Sequence, residues 1–215
     1  MKNKIISLIK NNKKWIISFI CILIFIAILE DIFDNEIINF DTLIFNNIKM
    51  IRTEKMTRLF KVITAFGSAT ILIIITMISF IVIKNKKIGI TMFLNLATIG
   101  AMNQILKHII QRPRPIESRL IEEKGYSFPS GHSMASVAFY GLIIFFVFKY
   151  VKNKKIRNLY CILLNILVLL IGVSRIYLGV HYASDVLAGF FLSIAYLTVF
   201  ITTITGTMYL ENNNK

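Results

Sequence analysis

The chain has 215 residues, of which 56% are hydrophobic, and a formal net charge of +14 at pH 7. A mean hydropathy of +0.69 excludes an ordinary soluble domain and predicts a polytopic membrane protein. No soluble module gathers the basic residues among aromatic side chains, so the charge does not indicate a nucleic-acid-binding protein.

Six apolar stretches are each long enough to cross a bilayer, which takes roughly 20 apolar residues per helix. The second is the clearest, since it carries no charge, and the third is the most polar, since it includes Asn95, Asn103, Lys107 and His108. The six predicted spans are residues 15–33, 62–83, 88–109, 132–150, 159–178 and 183–209. They predict an all-α membrane protein with one domain over residues 1–215.

The distribution of charge predicts the orientation of these spans. With the N-terminus in the cytoplasm, the cytoplasmic segments carry 14 basic residues and one acidic residue, against 11 basic and 10 acidic residues elsewhere. This asymmetry follows the positive-inside rule, so we expect both termini in the cytoplasm. Acidic residues, and not a small-residue cleavage pattern, follow the first apolar run, which is therefore predicted to remain as a helix.

Two connections on the outer side differ in their pattern. In residues 34–61, apolar and charged side chains recur at roughly helical period, which predicts an amphipathic helix lying in the outer membrane interface. Residues 110–131 are predicted to form a loop because they contain Pro113, Pro115 and Pro129.

Charged and titratable residues gather at the predicted ends of the last four spans. Such groups at membrane depth are energetically expensive and usually functional. With six alternating spans, all of them fall on the same outer face of the membrane, namely Lys107, Arg114, Ser130, Gly131, His132, Arg175, His181 and Asp185. The sequence therefore predicts one shared site.

Five of these residues are suited to bind a phosphate group. The two arginines offer rigid donor forks, and the lysine is a movable point charge. Ser130 and Gly131 precede a predicted helix, whose first unpaired N–H groups form an anion site, and glycine lets the backbone approach a ligand closely. The predicted phosphate-binding residues are Lys107, Arg114, Ser130, Gly131 and Arg175.

The remaining three residues are suited to catalysis. His181 and Asp185 are four residues apart, which places them on one face of a helix. A carboxylate bound to one ring nitrogen fixes the tautomer that leaves the other nitrogen free as a base or nucleophile. His132 is then the expected proton donor.

No other residue type is needed for this chemistry. No acidic cluster has the spacing of a Mg²⁺ or Zn²⁺ site, and Asp185 is the one carboxylate among these residues, so we predict neither a metal ion nor a cofactor. His108, Arg112 and Arg119 are interpreted as packing or lipid-headgroup contacts outside the site.

The order and spacing of these residues resemble the three-part signature of the type 2 phosphatidic acid phosphatase family. The resemblance covers residues 107–185, and six spans fit the membrane branch of that family. Its three parts are Lys107 with six residues before Arg114-Pro115, then Pro129-Ser130-Gly131-His132, then Ser174-Arg175 with five residues before His181 and three more before Asp185.

The resemblance implies a metal-independent phosphatase. In such an enzyme His181 attacks phosphorus to form a phosphohistidine, Asp185 orients His181, His132 protonates the leaving group, and the other five residues bind the phosphate. The expected substrate is a lipid phosphate or diphosphate at the outer face of the plasma membrane. Undecaprenyl diphosphate is the first expectation, with phosphatidylglycerol phosphate or phosphatidate as alternatives.

Three other interpretations remain open. The chain is alternatively a phosphotransferase of the same family, or a non-catalytic protein that binds or transports lipid phosphates in the bilayer. The outer segment 34–61 alternatively helps to line a lateral entrance for a lipid tail.

Overall fold

Eight α-helices form the structure, a computed structural model that describes residues 2–34, 36–116 and 118–213, with side chains from residue 12 to residue 205. Within this part of the chain there is no β-strand, which confirms the predicted all-α fold. The basic side chains of the first 11 residues and of Lys215, which contribute to the predicted topology, lie outside it. The helices are α1 (Lys2–Phe33), α2 (Ile38–Met50), α3 (Glu54–Ala65), α4 (Ala69–Val82), α5 (Lys86–Ile110), α6 (Gly131–Tyr150), α7 (Lys154–Tyr177) and α8 (Ala183–Asn213).

Five of the described helices are long and apolar enough to cross a membrane alone: α1, α5, α6, α7 and α8. The helices α3 and α4 meet that criterion only as a pair, and the pair is bent by 47°. The predicted six crossings therefore hold if the bent pair counts as one span. With five or six candidate spans, the protein is a multi-pass membrane protein.

The break corrects the prediction of a continuous span over residues 62–83. Ser68 begins α4 as its N-cap, with the hydroxyl accepting a hydrogen bond from Ile71 N at 3.4 Å. A Cβ on Gly67 would lie 2.6 Å from Ile171 Cγ2, so the close packing of the break against α7 requires glycine. The 14 residues of α4 extend about 21 Å, which is less than the hydrocarbon core of a bilayer.

The helix α6 is central in the bundle and packs against α5, α7 and α8. Its fully buried Phe139 belongs to an apolar core cluster with Leu72 of α4, Met92 of α5 and Ile171 of α7. Because tight packing surrounds α6 on several sides, its first turn is held in a fixed position. That turn contains the Ser-Gly-His part of the predicted site.

The outer segment is helical, as expected, but it forms two elements. Ile51 ends α2, and Thr53 caps α3 by accepting a hydrogen bond from Met56 N at 3.2 Å. The apolar side chains of α2 pack on the adjacent ends of α7 and α8, where Ile44 and Ile48 contact Ile176, Ala183 and Val186. The segment is therefore docked on the helix bundle through α2, and its depth in the membrane interface remains a prediction.

Four helix ends meet at one end of the bundle. The start of α6 is bonded to the start of α8, since Ser130 N donates to Asp185 O at 3.1 Å. The loop after α5 is bonded to the turn after α7, since Leu120 N donates to Leu178 O at 2.9 Å. The predicted site residues therefore lie in one region, although they come from three distant parts of the sequence.

Candidate active site

His181 and Asp185 form the predicted pair, but not on one helical face. His181 lies in the turn before α8, which begins at Ala183, and only 2% of its surface is exposed. Its Nδ1 is 3.3 Å from Asp185 Oδ2. The same carboxylate oxygen accepts a hydrogen bond from Tyr182 N at 2.9 Å, as a capping residue does in the first turn of a helix. Asp185 thus caps the first turn of α8 and orients His181 at the same time.

The second ring nitrogen of His181 defines its tautomer. Arg114 Nη1 lies 3.0 Å from His181 Nε2. A guanidinium can only donate hydrogen bonds, so Nε2 must accept and Nδ1 must carry the proton. The proton on Nδ1 is then directed at Asp185. The lone pair of Nε2 accepts from Arg114, so it becomes free to attack only when Arg114 turns this N–H to another acceptor, such as a phosphate oxygen.

Burial lowers the pKa of His181 well below its ordinary value, and the positive charges of Arg175, Arg114 and Lys107 lower it further. The imidazole is therefore neutral at physiological pH. A neutral imidazole with a fixed tautomer is the form that can act as a nucleophile.

The predicted cations are held largely by backbone carbonyls of the loop between α5 and α6. Lys107 Nζ donates to Tyr126 O at 2.8 Å. Arg114 Nε donates to Gly125 O at 3.0 Å, and its Nη1 donates to Val180 O at 2.9 Å. These bonds fix the loop, and Arg114 contacts the ring nitrogen of His181 opposite to the one that faces Asp185, while Lys107 lines the same cavity.

The third cation, Arg175, is 1% exposed and lies behind an acidic side chain. It donates to Thr64 Oγ1 at 2.8 Å and forms a hydrogen-bonded ion pair with Glu123. Glu123 also lies 3.6 Å from Arg114, so one carboxylate bridges two of the predicted phosphate-binding guanidiniums. Burial alone would raise the pKa of Glu123, but the charges of Arg175 and Arg114 outweigh it and lower the pKa below its ordinary value.

The Pro-Ser-Gly-His segment lies where α6 begins. Ser130 is the N-cap, and its hydroxyl oxygen accepts hydrogen bonds from Ser133 N at 3.4 Å and from Ser133 Oγ at 2.8 Å. A Cβ on Gly131 would lie 2.9 Å from Asn103 Oδ1. The close approach that requires glycine here is therefore to the Asn103 side chain on α5, and not only to a ligand as the sequence suggested.

A cavity of about 560 Å³ joins these residues. One end is polar and includes both histidines, Lys107, Arg114 and Glu123, whereas Arg175 does not line it. The other end runs between α4 and α5 and is lined mostly by apolar side chains, among them Ile73, Met77, Phe93 and Leu96. No described residue of segment 34–61 lines this cavity, whose apolar end offers an entrance between α4 and α5. A second cavity of about 550 Å³ also reaches Arg114 and His181, and α2 lines it, so the role of segment 34–61 beside an entrance stays a prediction.

A family model described as the PAP2 superfamily matches residues 88–208. The chain belongs to the PAP2 superfamily. This confirms the resemblance that the spacing of the motifs indicated, and the match includes all eight predicted site residues.

Two curated relatives carry names of phosphatases. Phosphatidylglycerophosphatase B of Bacillus subtilis is 39% identical over 107 residues, which are 49% of this chain and 53% of that protein. The alignment thus spans about half the length of that relative. Undecaprenyl-diphosphatase of Sulfolobus acidocaldarius is 26% identical over 170 residues, which are 75% of this chain and 78% of that protein.

Two solved structures share the architecture. The crystal structure of a transmembrane PAP2-type phosphatidylglycerolphosphate phosphatase from Bacillus subtilis has a TM-score of 0.82 at 29% identity, covering 88% of this chain and 96% of that one. The crystal structure of Aquifex aeolicus LpxE has a TM-score of 0.59 at 22% identity, covering 74% of this chain and 93% of that one. This likeness concerns the fold alone.

The PAP2 signature omits three residues that the structure brings to the site. Glu123 bridges two signature arginines, and Asp41 and Arg112 contact the first turn of α8. Arg112 was expected to face lipid headgroups, but its guanidinium is 2.7 Å from Asp185 Oδ1. His108, in contrast, lies on the exposed side of α5 as expected. A single charge in a loop or in the first turn of a helix carries no sequence signal for such pairings.

Proposed function

We propose that this protein is a phosphatase that hydrolyses a membrane lipid phosphate through a phosphohistidine on Nε2 of His181, without a metal ion. The observation that carries the proposal is the tautomer of His181. Asp185 and Arg114 together place the Nε2 lone pair, which accepts from Arg114, at the polar end of a cavity whose other end is apolar.

The chemistry follows in two steps. Arg114 Nη1–H first moves from His181 Nε2 to a phosphate oxygen. His181 Nε2 then attacks phosphorus, the bond from phosphorus to the lipid oxygen breaks, and His132 donates a proton to that oxygen. A water molecule, deprotonated by His132, then attacks the phosphohistidine, and the P–N bond breaks to release inorganic phosphate. Both histidines line the same cavity, which supports this division of roles.

The phosphate oxygens are bound by Lys107, Arg114 and Arg175 with the first turn of α6. Among the described residues, Arg175 Nε is buried without a hydrogen-bond partner, and a phosphate oxygen would supply that acceptor. Since Glu123 stands between Arg175 and the cavity, its carboxylate must give way when the phosphate binds both guanidiniums.

The substrate class follows from the two ends of the cavity. Cations at one end suit a phosphate, and apolar side chains between α4 and α5 suit an acyl or prenyl chain. Phosphatidylglycerol phosphate is the first substrate to test, because the relative of higher identity is named for it. Undecaprenyl diphosphate, the expectation from the sequence, is the second.

The positive-inside pattern supports an active site on the outer face of the plasma membrane. In that orientation the substrate enters sideways from the outer leaflet between α4 and α5. The phosphate never has to cross the hydrocarbon core.

The test uses the purified full chain in lipid vesicles with a panel of prenyl and glycerolipid phosphates, with EDTA present. We expect phosphate release from at least one lipid. Denaturation in alkali, which preserves phosphohistidine, should leave radiolabelled phosphate on the wild-type chain and none on His181→Asn. Turnover without a labelled chain, or turnover by His181→Asn, contradicts the mechanism. Transfer of label to a second lipid instead of water would identify a phosphotransferase.

A further inference from the structure

The carboxylate that orients His181 is itself held by a charged pair outside the PAP2 signature. Arg112 Nη1 donates to Asp185 Oδ1 at 2.7 Å, while Asp185 Oδ2 is bonded to His181 Nδ1. The other arm of the same guanidinium, Nη2, donates to Asp41 Oδ2 at 2.8 Å. The face of the guanidinium lies against the Tyr182 ring, 4.1 Å from its centroid. Arg112 is therefore fixed on three sides.

Asp41 is the far end of this chain of contacts and comes from α2. Its side chain is 3% exposed, although it lies on a helix that the sequence predicted to be interfacial. Asp41 Oδ1 accepts a hydrogen bond from Ser184 N at 2.8 Å, and Oδ2 accepts one from Ser184 Oγ at 2.6 Å. Ser184 Oγ in turn accepts a bond from Arg112 Nη1 at 2.8 Å. Every polar atom of the Asp41 carboxylate thus acts on the first turn of α8 or on Arg112.

Two tasks require cations near this site: one cation must neutralise Asp185, and others must bind the substrate phosphate. Because a buried carboxylate without partners is costly, Asp185 needs a cation nearby. A guanidinium paired only with Asp185 would be free to turn toward the substrate phosphate. Asp41 occupies the second arm of Arg112 and so keeps that cation on the far side of Asp185.

We infer that Asp41 and Arg112 are positioning residues for catalysis: through Asp185 they fix the orientation of the His181 imidazole. The inference rests on the proposed phosphatase function. It assigns a role in the reaction to the outer segment, since α2 supplies the carboxylate that completes the chain from Asp41 to His181.

The decisive experiment is a double-mutant cycle on the full-length protein in vesicles, with the lipid that the wild-type chain hydrolyses. Asp41→Asn should lower kcat about tenfold, the size typical of residues behind a catalytic group. The KM should stay within about twofold, because Asp41 does not line the cavity between α4 and α5, and in the second cavity, which it shares with Arg114 and His181, its carboxylate is bonded to Arg112 and Ser184. In an Asp185→Asn background, Asp41→Asn should lower kcat by less than about twofold, because its effect passes through Asp185.

Two control variants separate positioning from the docking of α2. Ile44→Ala removes an apolar contact of α2 with the ends of α7 and α8 and leaves the carboxylate in place, so it should lower thermal stability without the tenfold loss in kcat. Asp34→Asn removes one exposed negative charge and should change neither thermal stability nor kcat. Arg112→Lys, which keeps the charge but lacks the two-armed donor, should lower kcat by about as much as Asp41→Asn does.

The histidine resonances give a readout that α2 docking alone would not move. In protein labelled with ¹⁵N-histidine, the Nδ1–H signal of His181 should shift or exchange faster in Asp41→Asn, and stay unchanged in Ile44→Ala. An inactive wild-type chain would refute the proposed function itself. An active wild-type chain with full kcat in both Asp41→Asn and Arg112→Lys, or equal losses in the two Asp185 backgrounds, would refute the positioning role alone.

Discussion

His181 and His132 line the same cavity, yet the structure holds them in different ways. His181 is buried, with Arg114 on one ring nitrogen and Asp185 on the other. The His132 ring is half-buried and has no hydrogen bond to the part of the chain that the structure describes; its carbon atoms pack beside Gly67 at the break between α3 and α4. A nucleophile must keep one tautomer and one position, whereas an acid–base group must reach a leaving oxygen and then a water molecule. The two environments fit these two tasks.

Substitution of each histidine should give the largest and most unequal effects. His181→Asn should lower kcat on the order of 10⁶-fold, as loss of a nucleophile does in other hydrolases. His132→Asn should lower it about 10²–10⁴-fold with a lipid phosphate, the contribution of general acid–base catalysis. With p-nitrophenyl phosphate, whose leaving group needs no proton, the loss in the first chemical step should shrink for His132→Asn only. Burst kinetics with both substrates measure this, and equal losses for both variants would remove the distinction.

Gly67→Ala should perturb the His132 side of the site. The new Cβ would lie 2.6 Å from Ile171 Cγ2 and 3.3 Å from His132 Cδ2, and overpacking of this kind destabilises by about 1–3 kcal/mol. We expect a lower midpoint of thermal unfolding in detergent together with a lower kcat. Gly100→Ala is the matched control for thermal unfolding alone, because nothing lies within 4 Å of its Cβ position but the residue lines the cavity. If both variants unfold at the wild-type temperature, the packing at the break is looser than described.

Glu123→Gln should raise the affinity of the site for anions, because Glu123 is paired with Arg175 and Arg114. It removes the charge that binds Arg175 and competes with phosphate, so the inhibition constants of inorganic phosphate and vanadate should fall about fivefold, as for an ion pair of ~1 kcal/mol. Glu122→Gln, at the exposed neighbouring position, should have no effect. Weaker inhibition of Glu123→Gln would mean that Glu123 holds the guanidiniums ready for the substrate.

The smallest expected effect is an absence of titration at His181. Its lowered pKa keeps the ring neutral as the pH falls, so its ¹⁵N resonances should keep the Nδ1–H pattern from pH 7.5 to about pH 5.5, through the ordinary histidine range near 6.5. The chain has three histidines, and the His181→Asn spectrum assigns the signal. Protonation near pH 6.5 would show that the cations and burial act less strongly than their positions imply.

The fold was predictable where hydropathy alone decides it. Long apolar helices and the convergence of their ends follow from the lengths and alternation of the spans. The break at Gly67 was not predictable from the sequence, because residues 62–83 carry no charge and Gly-Ser pairs occur inside membrane helices. Only the contacts with Ile171 and His132, more than 60 residues away, show why the chain bends there.

The site was predictable where residue types and spacing recur in a signature. His181, Asp185 and Arg114 come together as that pattern implies. Asp41 and Arg112 were not predictable as partners, because 71 residues separate them and each is an ordinary charge in its local pattern. Tertiary docking of α2 makes them a pair, and periodicity along one helix carries no information on docking.

The short length of α4 has a consequence for the surrounding lipids. An apolar helix of about 21 Å does not match a hydrocarbon core of roughly 30 Å, and lipids accommodate such a mismatch by thinning. The remainder of the crossing is α3, which is bent by 47° from α4, so the apolar wall beside the entrance between α4 and α5 is shorter than that of a full-length span. We therefore expect the bilayer to be thinner at this entrance than around the other helices, which would bring the headgroup of an entering lipid nearer to the level of the bend.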